Sequence, residues 1–120
     1  MKGGMRMWLF TPEGFYSVVT AEEFGHELQV RARSGADLDR LREKHFPELG
    51  DSVRIPGRDY PVRAYTTRAD LALCMTRIAE AIDYSNFKSV VSARQGYDRA
   101  HVYGAVWADC LKIETEEGAR

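Results

Sequence analysis

The chain has almost nothing with which to build a covalent or metal framework. It carries two cysteines, Cys74 and Cys110, in 120 residues. Small disulfide-stapled domains use more cysteines, and a zinc site needs ligands at closer spacing. Both cysteines fall inside apolar helical patterns and are expected as buried free thiols in a reducing compartment. Long hydrophobic runs are also missing. Nothing approaches the ~18 consecutive apolar residues of a membrane span, so no membrane association is expected. The first residues, Met1 to Met7, hold no apolar core of a signal peptide. They offer Met5 and Met7 as alternative starts, and residues 1–6 are expected to be disordered. A cytoplasmic location follows for want of any other address.

Charge of one sign is lacking too. The formal net charge is −1 and the isoelectric point about 6.3, whereas a domain that grips nucleic acid non-specifically is basic. Lysine is scarce, however, at 4 against 13 arginines. Arginine is the residue of bidentate carboxylate and phosphate recognition. The three histidines, His26, His45 and His101, stand at no metal-ligand spacing, and no glycine-rich phosphate loop occurs. No metal and no cofactor is expected.

The composition, 44% hydrophobic and 29% charged, is that of a soluble globular chain, and the length fits one domain. Met7–Thr11 and Phe15–Thr20 are rich in aromatic and β-branched residues around Pro12-Glu13-Gly14, which predicts a β-hairpin. In Glu27–Arg33, Leu28, Val30 and Ala32 alternate with Gln29, Arg31 and Arg33, the pattern of a half-buried strand. Ser34 or Gly35 can cap a helix over 36–46 that carries Leu38, Leu41 and His45 on one face and stops at Pro47. Strands are expected at Ser52–Ile55 and Val62–Thr67, with Val62 and Ala64 opposite Arg63 and Tyr65.

Thr67 and Asp70 then open a helix carrying Leu71, Cys74, Met75, Ile78 and Ile82 at amphipathic spacing. After a break at 83–85, Ser85 or Asn86 caps a helix through Arg94, ended by Gly96. A last helix over 97–113 places Val102, Val106 and Ile113 on a core stripe. The expected core also includes Phe87 and Val90. Strands followed by helices, each strand with one apolar face, predict an α+β fold: a mainly antiparallel sheet of four or five strands with three or four helices on one face. A single domain over 7–113 is expected, with 114–120 a solvated acidic tail.

Two surfaces go beyond what a core requires. The first is the polar strand face of Arg31, Arg33, Arg63 and Tyr65, with Arg54 as a further member. Arginine beside tyrosine suits docking of a partner protein or stacking and phosphate contacts with single-stranded nucleic acid; the bland alternative is a solvated face with cross-strand ion pairs. The second is Tyr84, Asn86, Lys88, Arg99, His101 and Tyr103, where a histidine near lysine and tyrosines could do acid–base work if a cleft gathered them. Ser85-x-x-Lys88 has the spacing of a serine–lysine acylating motif, but the companion motifs are missing. Helix packing with satisfied polar tips is the plainer account.

The segments Gly14–Val19, Val30–Arg33, Asp59–Ala64, Asp83–Lys88 and His101–Trp107 together resemble a family of small bacterial and phage proteins that has no established activity. The resemblance runs from about Met7 to Trp107. It implies an intracellular single-domain protein, sometimes carried by phage, of a size that often binds and modulates a host protein. The functional expectation is therefore a non-enzymatic module that binds a partner protein. Nucleic-acid binding through the Arg/Tyr face and a small enzyme near Asp83–Lys88 and His101 are the alternatives, and self-association is open.

Overall fold

The computed structural model describes residues 6–21 and 25–118. Of residues 1–6, expected to be disordered, 1–5 lie outside this set, as do the last two residues of the expected tail. The strands are β1 (Met7–Phe10), β2 (Phe15–Thr20), β3 (Leu28–Ala32), β4 (Val53–Arg54) and β5 (Val62–Thr66). The helices are α1 (Gly35–Lys44), α2 (Arg68–Glu80), α3 (Phe87–Gln95) and α4 (Tyr97–Gly118). The strands form one sheet in the order β1-β2-β3-β5-β4, every pair antiparallel. This is the expected α+β class. The chain divides into two compact units, Met1–Asp83 and Tyr84–Arg120.

The sheet unit starts from its hairpin. Thr11 and Gly14 exchange backbone hydrogen bonds of 2.9 and 3.2 Å. The Thr11 hydroxyl also accepts from the Glu13 and Gly14 amides, both at 3.1 Å. Gly14 is required for space: a Cβ there would lie 2.7 Å from the Asp37 carboxyl and from the Tyr16 hydroxyl. Strand alternation then sorts the side chains. Tyr16, Val18, Val30, Ala32, Val62 and Ala64 point to one face and form the core with Leu38 and Leu41 of α1, Cys74 of α2, and Phe46 and Leu49 from the segment after α1. Truncating a fully buried member such as Leu38 to alanine costs about 2–5 kcal/mol.

Both helices begin as expected. The Ser34 side chain caps α1 by accepting from the Asp37 amide at 3.2 Å, and Thr67 caps α2 by accepting from the Asp70 amide at 3.2 Å. Satisfying an amide that the first turn leaves without a partner is worth about 1 kcal/mol.

A polar network fastens α1 to the hairpin. The Asp37 carboxylate accepts from the Phe15 amide at 3.0 Å, the Arg40 guanidinium at 2.5 Å and the Ser34 hydroxyl at 3.1 Å. The Tyr16 hydroxyl donates to the Asp37 carbonyl at 2.7 Å, and Arg40 Nε to the Glu13 carbonyl at 2.7 Å. Glu13 and His45, both buried, meet at 3.0 Å. His45 therefore ends α1 as a buried polar partner of the hairpin turn. Beside it, Arg77 of α2 donates to the His45 carbonyl at 3.1 Å and makes two hydrogen bonds to Glu48, at 2.7 and 2.8 Å.

In the second unit Asn86, and not Ser85, caps α3 by accepting from the Ser89 amide at 3.0 Å. Gly96 ends α3 at φ +94, a conformation that favours glycine, and α4 follows at once. Phe87 and Tyr103 stack across the two helices at 5.8 Å between ring centroids. Val91, Ala100 and Tyr103 are buried.

Several core expectations are corrected here. Val102 and Ile113 are exposed, because the inward side of α4 is the one carrying Ala100 and Tyr103; Val106 is half-buried. Ile82 lies beyond the end of α2 and is exposed, while Leu71, Met75, Ile78, Phe87 and Val90 are half-buried. Cys110 is exposed; Cys74 is buried. The acidic residues Glu114–Glu117 continue α4 as exposed helix. No helix among the described residues is long and apolar enough to cross a membrane.

Candidate binding surface on the outer face of the sheet

The face opposite the core is set by the same alternation. One cross-strand row runs Trp8, Ser17, Arg31, Arg63, Val53 over the five strands. It places Arg31 directly opposite Arg63 with no acid between them. Like charges opposed in this way destabilise an antiparallel pair, so this is a locally unfavourable choice. Burial, followed by the positive charges of Arg63 and Arg6, pulls the Arg31 guanidinium below its ordinary value.

The arginines are held by specific contacts. Arg31 donates to the Ser17 hydroxyl at 2.9 Å, while its Nε is covered and has no hydrogen-bond partner among the described residues. Arg63 donates to the Gln29 side chain at 3.3 Å and to the carbonyls of Tyr60 and Asp59 at 3.1 and 3.2 Å. Arg33 pairs with Asp59 at 2.7 Å, which raises its pKa.

The organiser of this surface is Tyr60, in the loop between β4 and β5. Its ring is 1% exposed and has Arg31 at 4.7 Å and Arg33 at 4.4 Å from the centroid. Guanidinium groups over a ring are attracted by its quadrupole. Tyr60 has φ +55, a left-handed conformation rare outside glycine that costs about 1–2 kcal/mol and persists where surrounding contacts fix it. Phe15 lies 6.1 Å from Tyr60 and stacks on Phe10 at 4.5 Å; Trp8 meets Phe15 edge-on at 5.8 Å. The result is a continuous arginine–aromatic strip from Arg63 to Trp8. Trp8 is 56% exposed on β1, an edge strand of the sheet.

Of the residues expected here, Arg31, Arg33 and Arg63 are brought together around Tyr60. Tyr65 shares the face, but its ring stacks on His26 at 4.4 Å. Arg54 does not belong to it. Its register opposite Val62 turns it to the other side, with its guanidinium near the start of α1, 3.5 Å from where a Gly35 Cβ would be. Tyr60, Phe10, Phe15 and Trp8 were missed as site residues. Tyr60 lies in an aperiodic turn, and the three others belong to the hairpin pattern. The tripeptide Asp59-Tyr60-Pro61 is the only local signal, a large aromatic among turn residues.

The second group of candidates is dispersed. Asn86 is the α3 cap, Arg99 lies over the Tyr103 ring at 6.0 Å, and His101 stacks on Tyr97 at 5.9 Å. An open groove of about 580 Å³ between α3 and α4 is lined by Lys88 and His101, but not by Tyr84, Asn86 or Arg99. Its remaining lining is mostly small, including Gly104, Ala105 and Ala108. No group of three or more His, Cys, Asp or Glu among the described residues could hold a metal ion.

Compared with protein-family models, curated proteins and solved structures, the chain matches none.

Proposed function

We propose that the protein is a non-enzymatic binding module that docks a partner protein on the outer face of its sheet, and that the docked segment is acidic. The observation that carries this reading is the Arg31–Arg63 opposition beside the exposed Trp8. A carboxylate placed between the two guanidinium groups relieves their repulsion. Trp and Arg are the usual anchors of protein interfaces. Nucleic-acid binding has weaker support, because the Tyr60 ring is covered by Arg31 and Arg33 and the Tyr65 ring is stacked on His26. Neither ring is free to stack a base on both sides.

The test is selection of a displayed random-peptide library on the wild type and on Arg31→Ala/Arg63→Ala, with thermal melts to verify that both fold. Acidic peptides should be enriched by the wild type and lost by the double variant. Equal enrichment by both would remove this face. Tight binding of single-stranded oligonucleotides at 50 mM salt, falling steeply with added salt, would favour the nucleic-acid reading instead.

A further inference from the structure

The α3–α4 unit is unequal in length. Helix α3 has 9 residues and α4 has 22, about 14 and 33 Å at 1.5 Å per residue. More than half of α4 therefore runs past its hairpin partner. That length is not built for water. From Val102 to Ile113 only Asp109 and Lys112 are charged, and apolar residues lie on all sides. Val102, Trp107, Leu111 and Ile113 are exposed, Trp107 at 68% and Ile113 at 62%. A helix that is apolar all round is ordinarily a buried one, and exposed apolar patches mark interaction sites.

Charge identifies what covers it. The segment 87–101 holds Lys88, Arg94 and Arg99 against Asp98, a net +2. The segment 109–118 holds Asp109, Glu114, Glu116 and Glu117 against Lys112, a net −3. The hairpin thus presents a basic end, an apolar middle and an acidic end. We infer that α4 is the interface of a homodimer, in which a second copy packs antiparallel so that each basic end meets the other's acidic end. A two-fold axis midway along Val102–Ile113 sets Val102 of one copy opposite Ile113 of the other, on the helix stripe that both share with Val106, and closes the assembly at two chains. Parallel packing would stack the two acidic ends, whereas antiparallel packing also opposes the helix dipoles favourably.

Sedimentation of the full chain tests this. At tens of micromolar the wild type should sediment at twice its 13.6 kDa mass, and Leu111→Glu/Ile113→Glu as a monomer with unchanged circular dichroism. A second pair of variants tests the orientation. Lys88→Glu/Arg94→Glu makes both ends acidic, and Glu114→Lys/Glu117→Lys makes both basic. Each should self-associate roughly tenfold more weakly, since exposed ion pairs contribute about 0.2–1 kcal/mol apiece. Their mixture should form a heterodimer of at least wild-type affinity. A monomeric wild type, a dimer unaffected by Leu111→Glu/Ile113→Glu, or a mixture no tighter than its components would overturn the inference.

Discussion

Asp37 is the residue on which the hairpin and α1 depend together, and its removal has a calculable cost. Its side chain is 4% exposed and accepts from the Phe15 amide, Arg40 and the Ser34 hydroxyl. Asp37→Ala leaves the half-buried Phe15 amide without this acceptor, a loss of about 1–3 kcal/mol. Arg40 is 40% exposed and regains water, so its part is closer to the ~1 kcal/mol of a surface ion pair. The total is about 3 kcal/mol. Asp37→Asn keeps an oxygen for the Phe15 amide and loses the charge pairing, which puts it near 1 kcal/mol. Urea unfolding followed by circular dichroism checks both. With a slope of about 1–3 kcal/mol per molar, Asp37→Ala should lower the midpoint by roughly 1–3 M and Asp37→Asn by about a third of that. Because Phe15 touches Trp8 and Tyr60, the alanine variant should also change the fluorescence of Trp8, read in a Trp107→Phe background. A cost below about 1 kcal/mol, or equal costs for the two variants, would refute the argument that the carboxylate fastens α1 to the hairpin.

Other outcomes follow from single contacts. Gly14→Ala should destabilise by about 1–3 kcal/mol, the range for overpacking, because its Cβ would meet the Asp37 carboxyl and the Tyr16 hydroxyl; thermal melts measure it. Native protein at neutral pH should react with a thiol reagent at one site only, the exposed Cys110. Burial pushes the Cys74 thiol up to about 11, so it should react only on unfolding. Hydrogen bonds from Arg77 hold the Glu48 carboxyl down at about 2 from the ordinary 4.5. A folded-state pKa below the unfolded one contributes stability above pH 4.5 that is lost as pH falls towards 2. The stability difference between the wild type and Glu48→Gln should therefore be full at pH 6 and vanish near pH 2 in acid titrations.

Much of the fold was legible in the residues because it rests on local rules. Period-2 alternation in Leu28–Ala32 and Val62–Thr66, the caps Ser34 and Thr67, and Gly96 after Gln95 set strands, faces and helix ends without reference to distant partners. Helix faces were less legible. Val102, Val106 and Ile113 have core spacing, yet spacing alone does not say which side of a largely apolar helix turns inward; the stack of Phe87 on Tyr103 decides that. Of the candidate surface, alternation alone placed Arg31 and Arg63 on one face. Only the tertiary structure put them side by side through strand register, folded Tyr60 in left-handed backbone beneath Arg31 and Arg33, and turned Arg54 away. Propensity and periodicity are properties of neighbours in sequence. Register, loop path and the pairing of α1 with the hairpin through Asp37 are settled by contacts between residues far apart in the chain, whose energies no short segment contains.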